Sequence, residues 1–79
     1  MSEVHTIPVK VKMDSAGYTA RVAGAGYRAS STQSAAIAVL RAAEKHLDGS
    51  MWDLLRPPEH IATPEYGREL WQIVVGKKP

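Results

Sequence analysis

The chain has 79 residues, with 10 Lys and Arg against 8 Asp and Glu, a formal net charge of +2 and no cysteine. That length holds one domain at most, spanning 1–79. The absence of cysteine excludes disulfides, thiolate zinc sites and a cysteine nucleophile, and no apolar run approaches the roughly 20 residues of a membrane helix. The opening MSEVHTIP lacks the basic and apolar segments of a signal peptide, so a cytoplasmic location is expected. The core must be thin: the apolar set includes 11 alanines and no phenylalanine. A domain near this size buries only about 60% of the surface its unfolded chain exposes. A catalytic cleft of the usual ~300–1,000 Å³ is hard to house in it, so size favours a binding protein over an enzyme.

Ile7, Val9, Val11 and Met13 alternate with Pro8, Lys10, Lys12 and Asp14, which predicts a half-buried strand. Pro8 suggests an edge position for it. Asp14-Ser15-Ala16-Gly17 reads as a turn, and Tyr18, Ala20 and Val22 alternate with Thr19, Arg21 and Ala23 as a second strand. After a turn at Gly24-Ala25-Gly26, Tyr27-Arg28-Ala29-Ser30 gives a short third strand and completes an antiparallel meander.

Ser31-Thr32-Gln33-Ser34 is rich in helix-capping residues. The stretch 35–48 is the clearest helix. Ala36, Val39, Leu40, Ala43 and Leu47 form its expected inner stripe, with Ile37 on the flank and Ser34, Ala38, Arg41 and Lys45 opposite. Lys45 and His46 suit the last turn, and Gly49 is a natural stop. Ser50-Met51-Trp52-Asp53 with Leu54 and Leu55 reads as a short helical turn, ended by Pro57-Pro58. A loop is expected over 59–67. The β-rich run through Trp71, Ile73, Val74 and Val75 predicts a last strand over 69–75, although Thr63 and Pro64 would also suit a helix start. The fold class is therefore α+β: a three-stranded meander plus a C-terminal strand, with one main helix on one face.

Catalytic chemistry has no clear carrier. Gly24-Ala25-Gly26-Tyr27-Arg28-Ala29 matches a dinucleotide pattern, but that pattern needs a crossover helix directly after it, and a hairpin explains the glycines better. His5, His46 and His60 are far apart and lack metal-ligand spacing. Ser30, Ser31, Thr32 and Ser34 sit in no nucleophile elbow, and capping accounts for them. No paired carboxylates are legible. The expectation is no catalytic residue, no metal and no cofactor. Trp52 and Trp71 are either packing groups or exposed interface anchors.

One constellation remains. If Ile7, Val9, Val11, Tyr18, Ala20, Val22, Tyr27 and Ala29 face inward, then Lys10, Lys12, Arg21 and Arg28 share the opposite face with Thr19 and Ser30, and no carboxylate is expected among them. An open surface of that kind suits a phosphate backbone or an acidic protein, although polar residues are also ordinary on the outer side of a sheet.

The stretch 17–49, GYTARVAGAGYRASSTQSAAIAVLRAAEKHLDG, and the closing ELWQIVV resemble small proteins encoded by phages and prophages of proteobacteria. The shared features are a hairpin, a strand end like Gly26-Tyr27-Arg28-Ala29-Ser30-Ser31-Thr32 and an Ala-rich helix. Anti-CRISPR proteins share this size and style. The resemblance implies a non-enzymatic inhibitor that binds a Cascade-like CRISPR effector and blocks its use of DNA; it carries over no residue role. The same meander and helix are similar to HicB-type antitoxins, which would imply a nucleic-acid-binding regulator. The aromatic-Pro-Gly-Cys stretch of that family is missing here.

Overall fold

A computed structural model describes residues 3–24, 26 and 28–78. The elements in chain order are β1 (Val4–Asp14), β2 (Gly17–Val22), β3 (Arg28–Ser31), α1 (Ala35–Leu47), β4 (Trp52–Leu54), β5 (Glu59–Glu65) and β6 (Arg68–Lys77). All the strands join one antiparallel sheet in the order β3-β2-β1-β6-β4, with β5 also on β6. The class is α+β as expected, with more strand than the sequence predicts.

The meander forms where the alternation places it. The β1–β2 turn closes with Asp14 Oδ1 accepting the Ala16 N–H at 2.8 Å. Gly17 has φ +127°, and a Cβ there would lie 2.6 Å from the Ser31 carbonyl oxygen. Only glycine lets β3 approach that closely. The third strand runs one residue later than predicted, and Tyr27 lies outside the described residues.

Pro8 does not mark an edge: β1 sits in the middle of the sheet, between β2 and β6. Its carbonyl accepts the Ala23 N–H at 3.1 Å, just past the end of β2. The N and O of a strand residue point to the same side. The missing N–H therefore falls beyond the last rung of the β1–β2 ladder and costs the β6 side nothing.

Two further expectations are corrected. Ser50–Leu55 is not a helical turn: Trp52, Asp53 and Leu54 pair with Lys77, Gly76 and Val75. The stretch 59–67 is not a loop: β5 pairs with β6 from Glu59↔Gln72 to Glu65↔Arg68. β4 and β5 lie end to end along the same side of β6, interrupted at Arg56-Pro57-Pro58, and the Leu55 N–H bonds the Val74 carbonyl at 2.9 Å in the gap. Every residue of β5 is exposed, so no face is selected for apolar residues and no alternation marks the strand. Pro64 is tolerated because β5 is an edge, further blunted by two register shifts.

Ser34 caps α1, its hydroxyl accepting the Ile37 N–H at 3.2 Å, and Gly49 with φ +71° follows the Asp48 C-cap. The helix phase differs from the sequence reading. The buried stripe is Ala35, Ala38, Val39, Ala42 and Ala43. Ala38, expected outside, is 0% exposed, while Leu40 and Ala36 are half-buried on the flank. Alanines at the contact let the helix axis come close to Val9, Val11, Ala20 and Val22, which complete the core with Ile73 and Val75. Trp52 and Trp71 are half-buried and pack against that core.

Candidate functional site

The helix covers the inner face of the sheet, and the outer face carries the four predicted cations. Lys10, Lys12, Arg21 and Arg28 are all exposed. Register brings three of them into one row across three strands: Lys10 lies opposite Arg21, and Arg21 lies opposite Arg28. Two strand spacings make this row roughly 10 Å long. Lys12 stands two residues further along β1, roughly 7 Å from Lys10, opposite Thr19 on one side and Arg68 on the other. Ser30 and Thr19 share the face, themselves opposite one another.

Like charges directly opposite on a sheet destabilise it. The row holds two such pairs. Among the described residues, no ion pair engages Lys10, Lys12, Arg21 or Arg28. The repulsion is thus left uncompensated by nearby carboxylates.

The face is not wholly free of carboxylates, as the sequence reading had it. Asp14 follows Lys12 on the same side of β1, with one oxygen held by the Ala16 N–H. Glu59 reaches Gln72 Nε2 at 3.4 Å on the far side of β6. Towards β6 the surface turns apolar: Lys10 is opposite Leu70, and Leu55 lies over Gly76, where a Cβ would come within 3.0 Å of its methyl groups.

Sequence reasoning missed three contributors. Arg41 Nη1 donates to the Ser30 carbonyl at 3.1 Å, and Lys45 Nζ donates to the Arg28 carbonyl at 2.9 Å. These carbonyls lie along β3, the other edge of the sheet, so the outer side of α1 closes that edge with cations. Positive charge therefore runs from the sheet face around β3 onto the helix. The third addition, Arg68, follows from the β5–β6 hairpin, whose only strong local signal is Gly67 with φ +81°. Glu65 Oε1 pairs with Arg68 Nε at 2.9 Å.

The histidines fall elsewhere. His5 and His46, 41 positions apart, line one cavity of about 440 Å³ beside Trp52 and Leu47. His5 meets the Trp52 ring edge-on at 4.8 Å. His60 meets Trp71 edge-on at 5.5 Å and bonds the Thr63 hydroxyl at 3.0 Å. Among the described residues no three His, Asp or Glu side chains gather as a metal site. No helix of the described residues is long and apolar enough to cross a membrane.

Comparison with known proteins finds no matching family model, no matching curated protein and no matching solved structure.

Proposed function

We propose that this chain works by binding rather than by catalysis, and that the outer face of its sheet is the contact surface. The observation that carries this is the register-matched row Arg28–Arg21–Lys10, with Lys12 beside it. A folded protein this thin in core gains nothing in stability from opposed like charges, so a partner that neutralises them is the simplest reason for their placement.

The resemblance to phage proteins supplies the target: a Cascade-like CRISPR effector whose use of DNA is blocked sterically in the host cytoplasm. Charge narrows how the block would work. Effector complexes hold nucleic acid in a positively charged channel. A cationic face would be repelled by such walls, so the inhibitor would not act as a DNA mimic. It would sit on a negatively charged part of the loaded complex and keep DNA from engaging. The test is to add the protein in excess to a purified effector and measure binding of labelled target duplex. The expected result is loss of DNA engagement and co-elution of the chain with the complex. Undiminished DNA binding at saturating protein overturns the inhibitor reading.

A second reading is supported by the meander β1–β3 followed directly by the Ala-rich α1, the features on which the resemblance to HicB-type antitoxins rests. In that reading the chain is a nucleic-acid-binding regulator. Capture from a host lysate, read by mass spectrometry, separates the two: effector subunits support the first, and a toxin partner supports the second.

A further inference from the structure

Granting that the outer sheet face is the contact surface, we infer that the ligand it takes is the phosphodiester backbone of a nucleic acid, gripped without selection among bases. Protein–protein interfaces are anchored by aromatic side chains, methionine and single arginines at centres otherwise depleted of charge, and are poor in lysine. Here the β3–β1 half of the face holds Lys10, Lys12, Arg21 and Arg28, filled in by Thr19 and Ser30, and the apolar Leu70 and Leu55 come only towards β6. No aromatic side chain stands among them in the described part of that face. Small hydroxyl groups, arginine forks and lysine ammonium groups are the side chains that meet phosphate oxygens.

Spacing agrees with the chemistry. Three of the cations form a line with positions roughly 5 Å apart, with Lys12 beside it, and a nucleic-acid strand is itself a line of regularly spaced single negative charges. Acidic protein patches carry no such regularity. The absence of aromatics removes base stacking as a source of affinity. The described cations stand on three adjacent strands of a wider sheet, broader than the two-stranded ribbon that a major groove admits, so base edges go unread. Arg41 and Lys45 bond carbonyls of β3 and stand at the border of the row, where they extend the positive field without joining the line.

Both the nucleic acid carried by an effector complex and free DNA or RNA present this backbone. The experiment therefore titrates the full chain against a labelled mixed-sequence duplex, a single-stranded RNA of equal length and poly-glutamate, over a salt series. The effector is run in parallel. Four phosphate contacts predict a log K against log salt slope of about −3 to −4 on the duplex and slightly shallower on the single strand. Scrambling the sequence should change affinity by less than about threefold, within 0.65 kcal/mol. Arg21→Gln with Arg28→Gln should weaken nucleic-acid binding at least about tenfold and lower the slope to about −2. Lys10→Gln with Lys12→Gln provides a second variant with the same expectation. Circular dichroism confirms folding of both.

Oligonucleotide binding that survives both variants with an unchanged slope overturns the inference. So does capture of poly-glutamate with no oligonucleotide bound. If the Arg21/Arg28 variant loses the effector while the wild-type chain never binds any oligonucleotide, the contact surface stands and the phosphodiester ligand falls. If oligonucleotides bind as predicted and the effector does not, the ligand stands and the effector target falls.

Discussion

Replacing Ala38 with leucine tests the helix phase, on which the assignment of inner and outer faces depends. Ala38 is 0% exposed and lies in the stripe with Ala35, Val39, Ala42 and Ala43, against Val9, Ala20 and Val22. Three extra carbons have no room there unless the helix lifts from the sheet, and such overpacking typically costs about 1–3 kcal/mol. Leu40→Ala, by contrast, removes three carbons from a half-buried side chain outside the core cluster. At about 0.8 kcal/mol per fully buried CH₂, and roughly half that here, the loss is about 1 kcal/mol. For a domain of this size each kcal/mol moves Tm by roughly 4–8 °C. Thermal melts followed by circular dichroism should therefore show Ala38→Leu falling by about 5–20 °C and Leu40→Ala by about 4–8 °C. If Leu40→Ala is the more damaging, the helix is turned the other way and the core described above is wrong.

Three further outcomes follow from local geometry. Gly17→Ala should be severe, since its Cβ would meet the Ser31 carbonyl oxygen at 2.6 Å at φ +127°, whereas Gly24→Ala has open space and only its positive φ to oppose it. Urea titration should place the first at least about 2 kcal/mol below the second. Ser34→Ala removes the bond to the Ile37 N–H and should cost about 0.5–2 kcal/mol in the same assay. Arg41→Gln with Lys45→Gln uncovers the Ser30 and Arg28 carbonyls. It should speed hydrogen exchange in β3 and increase self-association on sizing columns; unchanged exchange would deny the edge-closing role.

Much of this fold is legible in the sequence where one face is buried and the other wet. Ile7 to Met13 and Tyr18 to Val22 alternate because the helix covers one side of the meander, and the same alternation sends Lys10, Lys12 and Arg21 outward. The faces of β1 and β2 follow from that period alone. The helix phase is less legible because alanines are ambivalent. Ala38 and Ala42 contribute little hydrophobicity yet take the closest approach to the sheet, while the larger Leu40 is displaced to the flank for want of space. β5 leaves no pattern because none of its residues is buried, and Pro57, Pro58 and Pro64 read as loop. β4 is three residues long, too short for periodicity to distinguish from a helical turn. At the candidate site, the sequence supplies each cation but not the row. The row depends on register, which the Asp14–Gly17 turn and the close approach at Gly17 fix. Arg41 and Lys45 read as solvent-facing, and their bonds to β3 depend on where the helix sits.

The most direct test of the outer face as the contact surface is a paired charge reversal. Arg21→Glu with Arg28→Glu reverses the middle of the row. Arg56→Glu with Lys77→Glu makes the same change in net charge at two exposed positions away from it. Arg41 and Lys45 are unsuited as that control because they hold the β3 edge. Affinity for the captured partner, measured by titration at fixed salt, should fall at least about tenfold for the first pair, about 1.4 kcal/mol. It should fall less than about threefold, under 0.65 kcal/mol, for the second. Equal losses from both pairs would mean that only net charge matters, and the outer sheet face would not be the contact surface.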